Sequence, residues 1–384
     1  MELRDLTDAD LELALDIRNR AFGVLPDSGQ QTWREHNLQA IAERRILGCD
    51  QEGRLAATAK IRPFRQWWHG RSLPMAGVAG VVVAPEARGR GVGRLLMTGL
   101  LERIAEQGYP VSALYPATTP LYRGLGWEMA GAQQMVTVPT EALRSLSRAA
   151  VPLTRVGPDD AAKILSVVRR IHASARSSGP IDWDGTGVRE WLEADEPYAY
   201  LADDGFLAYH WEGRDLEVDE LVAGSEATAR ALWALVGSGS SIAATVRACL
   251  GPADPLRWLT SEQAVKPAGE NRWMLRLVDV PAALDGRGYP TGVKAELALS
   301  IEDPHLPANT GAWRLTVADG VGHAERVAPD PAMTSFSARG LAARYAGAPM
   351  ATLRQAGLAQ GGAPEVDALL DAVFTAQPYL LDYF

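Results

Sequence analysis

Apolar residues in the first part of the chain alternate between helical and extended spacing. Between residues 8 and 20 they recur as in an amphipathic helix, which Thr7 or Asp8 would cap. The stretches "RILGCD" and "LAATAKIRPFRQWW" are typical of strands, and "DQEGR" between them predicts a hairpin turn. The continuous apolar run "GVAGVVVAP" predicts a strand that is covered on both faces.

Helical spacing returns directly after that run. Apolar residues from Val92 to Gln107 repeat with the period of a helix, and Gly108 is placed to end it. The stretch "YPVSALYP" predicts a short strand, and "ATTPLYRGLGWEMAG" predicts a helical turn followed by a last strand. One compact αβ unit therefore ends near residue 140.

The same order of elements recurs, more loosely, between about residues 152 and 279. A helix is predicted at 159–174, strands at "PYAYLAD", "GFLAYHWEG" and "RDLEVDELVA", and a helix at 225–236. The last strand and helix are joined without a glycine-arginine turn, and Ser225 is an ordinary helix cap. The chain thus contains a duplicated fold whose second copy lacks an anion site.

The final segment has a different order, with strands first and helices afterwards. Alternating apolar residues predict strands at 293–301 and 313–317, and helices are expected from about 337 and over 364–375. This order is typical of a separate α+β domain. We therefore expect an α+β protein with three domains, at residues 1–145, 146–283 and 284–384.

Composition and charge narrow the functional classes. The chain is 47% hydrophobic and 22% charged, has no apolar run long enough to span a bilayer and shows no signal-peptide pattern, so we expect a cytoplasmic globular protein without a membrane partner. Its net charge of -9 argues against nucleic-acid binding. Two distant cysteines, Cys49 and Cys249, support neither a disulfide framework nor a zinc site, so we expect both to be buried and no metal to be bound.

The turn "APEARGRGVGRLL" is the strongest candidate for chemistry. A phosphate-binding P-loop would end in Gly-Lys-Ser/Thr, whereas this turn has Gly93-Arg94-Leu95, and a dinucleotide fingerprint would need another spacing and place. The pattern Arg/Gln-x-x-Gly-x-Gly/Ala of the GNAT acetyltransferases fits residues 88–93. Its glycines let backbone amides approach the pyrophosphate of coenzyme A, and the following helix N-terminus and the arginines favour an anion.

The resemblance extends over nearly the whole chain. The stretches "HGRSLPMAGVAGVVVAPEARGRGVGRLLM" and "YPATTPLYRGLGWE", the degenerate second copy, "LALSIEDPHLPANTGAWRL" and the aromatic C-terminus resemble the enhanced-intracellular-survival family of acetyltransferases. In that family a catalytic GNAT domain precedes a non-catalytic GNAT-like domain and a domain similar to sterol carrier proteins. The resemblance implies tandem GNAT-like domains, each a mixed sheet flanked by helices, and a third α+β domain. It also implies a homo-oligomer, commonly a hexamer.

The resemblance also implies roles for individual residues. Tyr122, in "LYRGLGW", would be the general acid, and the C-terminal carboxylate of Phe384 the general base. Acetyl-CoA, the co-substrate, would be held by a splayed strand and by the loop after it, that is by Val81, Val82, Val83, Arg88, Gly89, Arg90, Gly91, Val92, Gly93 and Arg94.

These roles suit direct attack of an amine on a thioester. The amine must first lose a proton to a base, and the departing thiolate gains from a proton donor. An α-carboxylate has a pKa of about 3.5, which the apolar setting "YLLDYF" would raise, and a tyrosine with a pKa of about 10 is protonated at neutral pH. Simple packing is the alternative for both residues: Tyr122 under the helix, and Phe384 as a hydrophobic anchor.

The acceptor is less well defined than the donor. Trp33 and Tyr383 are candidate pocket residues, although an ordinary core tryptophan would also fit position 33. Relatives that act on polycationic sugars carry an acid just before the last residue, where this chain has Tyr383, and none occurs in "FGVLP" at 22–26. We therefore expect N-acetylation of a primary amine of a small molecule or a lysine side chain, with a less cationic or an aromatic acceptor favoured. Transfer of a longer acyl group, and binding of acyl-CoA or a hydrophobic ligand without turnover, stay open as alternatives.

Overall fold

The computed structural model describes residues 1–146 and 150–384, and its first unit has the predicted order of helices and strands. The strands are β1 Glu2–Asp5, β2 Ile46–Gln51, β3 Arg54–Trp68, β4 Arg71–Val83, β5 Val111–Leu114 and β6 Glu128–Pro139. The helices are α1 Leu11–Phe22, α2 Asp27–Ala42, α3 Val92–Glu106 and α4 Thr119–Arg123. Helix α2 was not predicted, because only Asn37 and Ala40 in it are buried and its apolar stripe is therefore weak.

The second unit follows a short connecting helix, α5 Thr140–Arg144. Its strands are β7 Thr154–Val156, β8 Tyr198–Ala202, β9 Gly205–Glu212, β10 Asp215–Ala223, β11 Thr245–Leu250 and β12 Lys266–Leu277. Its helices are α6 Ala161–Ser174, α7 Gly185–Ala194, α8 Glu226–Gly237 and α9 Leu256–Leu259. The predicted ordinary cap of α8 is present, since the side chain of Ser225 accepts the amide of Thr228.

The two units share one continuous sheet of 12 strands. Strand β12 of the second unit lies between β5 and β6 of the first and pairs with both in antiparallel fashion. Strand β6 in turn pairs with β11. The strands of the two units therefore interleave. The domain boundary predicted after residue 145 lies next to residues 147–149, which are outside the described residues, and it stays a prediction.

The third unit has a five-stranded sheet of its own. Its strands are β13 Ala295–Glu302, β14 Gly311–Ala318, β15 Val321–Arg326, β16 Thr334–Ser337 and β17 Ala359–Gln360, and its helices are α10 Val280–Gly286, α11 Ala338–Tyr345, α12 Met350–Gln355 and α13 Pro364–Val373. The two predicted strands correspond to β13 and β14 and helices follow, but β15 and β16, which were not predicted, also precede those helices, and α10 lies in front of all of them.

The third unit is attached to the first two through a common core. Trp68 of β3 and Trp273 of β12 belong to the same buried cluster as Tyr345 and Phe374. Beside it, the guanidinium of Arg276 binds both oxygens of Asp303 at 2.6 and 2.7 Å, fully out of solvent. In the described part of the chain, no helix combines the length and the apolar composition needed to cross a bilayer.

Candidate active site

Strands β4 and β5 pair over three residues only. Met75–Gly77 lies parallel to Val111–Ala113, and beyond Gly77 strand β4 continues to its end beside β3. Strand β5 meanwhile stays paired with β12. The backbone edge of residues 78–83 is thus open toward β5, and we call this gap the splay.

A β-bulge lies in β4 at the splay. The register with β3 shifts between Ala79 and Val82, which leaves Gly80 and Val81 in the bulge. Gly80 has a φ of 57°, in the left-handed region that glycine adopts without strain. Bulges redirect a strand locally. Residues 81–83, for which the sequence predicts backbone contacts with acetyl-CoA, form this edge of the splay.

The glycine-arginine turn joins β4 to α3 in the predicted strand, turn and helix order. Gly89 and Gly91 have φ values of 75° and 84°, and a Cβ added to either would meet no atom within 4 Å. The carbonyl of Gly91 accepts the amide of Leu95, which is the first bond of the helix. The amides of residues 92–94 precede this bond and point out of the helix N-terminus, where an anion is favoured. The turn therefore fits a pyrophosphate.

Arginines surround the same turn. Arg88 donates to the carbonyl of Val83, at the end of β4, over 3.2 Å. Arg90 and Arg94 are exposed to solvent. A Cβ built on Gly93 would lie 3.4 Å from the side chain of Val83, so the start of α3 packs closely on the splayed strand. This combination of backbone amides and arginines supplies positive potential to the splay.

Tyr122 lies on α4, next to the start of α3. A Cβ built on Gly124, just after α4, would be 3.3 Å from the guanidinium of Arg94. The side chain of Tyr122 is buried in the same cluster that Val81 and Val83 contact. Burial raises the pKa of Tyr122 to about 12. The phenol is therefore protonated at neutral pH and can donate a proton.

The ring of Phe384 lies where the splay begins. A Cβ built on Gly77 would be 3.1 Å from that ring. The ring also makes edge contacts with Phe64 of β3 and with Tyr115, which follows β5, at centroid distances of 5.1 and 5.5 Å. The last residue of the chain is thus held between the two strands that separate at Gly77.

Side chains of the first unit hold the residues just before Phe384. The hydroxyl of Tyr115 donates to the carbonyl of Asp382 over 2.8 Å, and its ring lies 4.4 Å from that of Tyr383. The amide of Gln133 donates to the carbonyl of Leu381 over 2.8 Å. Both hydrogen bonds go to backbone carbonyls. They therefore fix the path of the terminal segment and do not depend on which side chains stand at positions 381 and 382.

Comparison with known proteins identifies the fold and the family. Models of an acetyltransferase (GNAT) domain match residues 2–130 and 179–277, and a model of a sterol carrier protein domain matches residues 280–381. The crystal structure of a GCN5-related N-acetyltransferase from Kribbella flavida superposes with a TM-score of 0.97 at 49% identity, covering 100% of this chain and 98% of that one. The chain belongs to the GCN5-related N-acetyltransferase family.

Two further relatives confirm the resemblance to the enhanced-intracellular-survival acetyltransferases. N-acetyltransferase Eis from Mycobacterium tuberculosis is 30% identical over 271 residues, and the match spans 65% of each chain. The crystal structure of Eis1 from Mycobacterium abscessus has a TM-score of 0.78 at 26% identity, with 100% of both chains covered. The predicted tandem GNAT domains and sterol-carrier-like third domain are confirmed, as is the predicted enzyme class.

A cavity of about 1580 Å³, lined by residues of the first and second units, lies beside β4 in this GCN5-related acetyltransferase. Gly80 and Val82 line it, and so do both candidate pocket residues, Trp33 of α2 and Tyr383. The glycine-arginine turn, Tyr122 and Phe384 are not among its lining residues. Cavity and splay therefore share residues of β4. We call this space the acceptor cavity.

The second unit supplies an acidic wall to the acceptor cavity. Asp219 and Glu220, at a bulge of β10, line it together with Asp382 of the terminal segment. Burial, reinforced by Asp382 and Asp219, raises the pKa of Glu220 to about 8. Burial also raises the pKa of Asp382 to about 6, although Trp183 donates to its carboxylate over 3.2 Å. These acids were not found from the sequence, where "RDLEVDELVA" gave only a strand.

The acidic wall weighs against one expectation. The less cationic acceptor was inferred from Tyr383 and residues 22–26, but β10, far away in sequence, supplies carboxylates to the same space. One cysteine also differs from expectation: Cys49 is buried, whereas Cys249 is only half-buried and lines the cavity. Its place on β11, beside the interleaved strands, could not be derived from the local sequence.

Proposed function

We propose that the chain transfers the acetyl group of acetyl-CoA to a primary amine of a small molecule or a lysine side chain. The observation that carries this proposal is the convergence of three separate segments on the splay. The turn at 88–94 approaches it from the α3 side, Tyr122 lies beside that turn, and the ring of Phe384 lies at Gly77. An acyl donor, a proton donor and a terminal carboxylate would meet there.

Acetyl-CoA fits the residues around the splay. The open glycines at 89 and 91 and the amides at the start of α3 would hold its pyrophosphate, and the exposed edge of residues 81–83 would align its pantetheine arm. The acetyl thioester would then lie close to Gly77, where its carbonyl is polarised by backbone amides of β4. The bound molecule supplies the activated acetyl group.

The protein's own residues handle the protons. An ammonium group entering the acceptor cavity meets the acidic wall, which favours its binding. The terminal carboxylate of Phe384, whose ring packs against Phe64 and Tyr115, would accept the proton that the attacking nitrogen loses. Tyr122 would donate a proton to the departing thiolate and be reprotonated from solvent. The C–S bond breaks as the C–N bond forms.

The first experiment measures coenzyme A release from acetyl-CoA with aminoglycosides, polyamines, lysine-containing peptides and aromatic amines. Tyr122→Phe should lower kcat by about 100-fold and change the Kd for acetyl-CoA by less than about twofold, because the ring still packs but no proton is donated. The matched control is Tyr109→Phe. Tyr109 lies just before β5, and this variant should keep wild-type kcat. Wild-type kcat in Tyr122→Phe contradicts its role. Tight acetyl-CoA binding without turnover of any amine would favour a binding protein.

A further inference from the structure

Two positive side chains face the acceptor cavity from β3. Lys60 and Arg62 are half-buried and line it on the same strand face as Phe64. The guanidinium of Arg62 lies 4.9 Å over the ring of Phe64. Among the described residues, the ammonium of Lys60 donates a hydrogen bond only to the carbonyl of His36, at 3.4 Å. The cavity therefore has a basic wall from the first unit in addition to the acidic wall formed by the second unit and Asp382.

Neither cation is fully neutralised by the described residues, although the carboxylate of Asp382 lies near enough to Arg62 to favour its charged form. Within the described residues, neither Lys60 nor Arg62 forms an ion pair with a carboxylate, whereas other arginines in or near this wall do: Arg45 binds Glu43 at 2.6 Å. Burial, with Arg62 and Arg45 nearby, lowers the pKa of Lys60 to about 8, and burial also lowers the pKa of Arg62. Partly desolvated cations without a directly bonded anion are costly, and an anion bound between them would lower that cost.

The two cations lie on β3 beside the part of β4 where the reaction is expected to take place. Arg62 is directly opposite Gly77 in the β3–β4 register, and Lys60 is opposite Ala79. The splay begins at Gly77, and Ala79 directly precedes the bulge. An anion held by both side chains would therefore lie within a small molecule's length of the place where the acetyl group is expected.

We propose that Lys60 and Arg62 bind an anionic group, a carboxylate or a phosphate, of the amine acceptor. This inference rests on the proposed acetyltransferase function and narrows its substrate class to amines that also carry a negative charge. The fork of Arg62 and the point charge of Lys60 both suit oxyanions. The acidic wall of the same cavity favours the ammonium group of the same molecule, so a dipolar acceptor matches both walls.

The test uses pairs of amines that differ in the anion alone. These are 6-aminohexanoate against hexylamine for a carboxylate, and 2-aminoethyl phosphate against ethanolamine for a phosphate. Wild type should turn over one or both anionic amines with a kcat/KM about tenfold above the neutral partner, as expected for a charge-assisted contact. In Lys60→Met and Arg62→Met this ratio should fall toward one, and Lys60→Arg should restore most of it. Arg54→Met, at the exposed start of β3, is the matched control and should keep the wild-type ratio.

Several results would overturn the inference. Equal kcat/KM for both members of each pair in wild type would exclude the anion site. An equal loss for charged and neutral amines in Arg62→Met would instead assign Arg62 to the terminal carboxylate of Phe384.

Calorimetric binding of 6-aminohexanoate and 2-aminoethyl phosphate separates this inference from the proposed function. If acetyl-CoA fails to bind, the proposed function fails, whereas loss of amine binding only in the Lys60→Met and Arg62→Met double variant supports the anion site independently of turnover.

Discussion

Burial sets the protonation of individual side chains near the splay and in the acceptor cavity. Tyr122, near the splay, and Glu220, in the cavity, both have a raised pKa, about 12 and about 8, so each is protonated at neutral pH. For Tyr122 this keeps a proton ready to donate. For Glu220 it means that the acid becomes a carboxylate mainly when a cation arrives, because a nearby ammonium favours the charged form.

The raised pKa of Glu220 predicts a pH-dependent stability. An ordinary glutamate releases its proton near pH 4.5, whereas the folded chain keeps it to about pH 8. Between these values the folded state binds more protons than the unfolded state, so this group's contribution to the free energy of unfolding falls as pH rises and is constant above about pH 8. Glu220→Gln should therefore raise Tm relative to wild type at pH 8 and leave it unchanged near pH 4.

Thermal unfolding of both proteins across this pH range checks the prediction. Glu212→Gln, at the exposed end of β9, is the control and should follow the wild-type curve. A Tm difference for Glu220→Gln that does not change with pH would show that its carboxyl group is hydrated in the folded chain.

At the scale of elements, the β4–α3 connection depends on left-handed glycine. Gly91→Ala should cost about 1 kcal/mol of stability, since its φ of 84° is strained for alanine, and should weaken acetyl-CoA binding because the new methyl group projects into the pyrophosphate site. Gly53→Ala in the β2–β3 turn is the matched control, with a φ of 77° and the same open surroundings. Both should lower Tm similarly, and calorimetry should show weaker acetyl-CoA binding only for Gly91→Ala. Equal affinities would place the pyrophosphate elsewhere.

The local sequence pattern predicted β4 and α3 but not which strands lie next to one another in the sheet. The spacing from 92 to 107 and the turn before it are local signals, so strand β4, the turn at 88–94 and helix α3 were predicted from them. The insertion of β12 between β5 and β6 depends on pairing over more than 130 residues, which no local pattern encodes. The acidic wall was missed for the same reason: β10 was predicted as a strand, but the face it presents to the first unit follows from the interleaved sheet.

Across the whole molecule, the chain of the third unit ends beside the splay of the first. After α13, Phe374 packs in the core that the units share. The segment that follows ends with the ring of Phe384 against Gly77 of the first unit. Tyr115 and Gln133 hold this path by hydrogen bonds to backbone carbonyls. The rigid attachment of the third unit, including the buried pair of Arg276 and Asp303, therefore fixes the position of a terminal group that would act in another unit.

This coupling predicts the effect of lengthening the chain by one glycine after Phe384. The added residue moves the terminal carboxylate by about 3.5 Å while every side chain stays present, so kcat should fall at least about tenfold. The Kd for acetyl-CoA and the Tm should stay near wild type, because neither the turn at 88–94 nor the core is altered. A glycine inserted after Ala328, in an exposed turn of the third unit, controls for added length and should leave kcat unchanged. Full activity in the extended chain would remove the carboxylate from the mechanism and make the ring of Phe384, packed on Gly77 and Tyr115, a purely structural anchor.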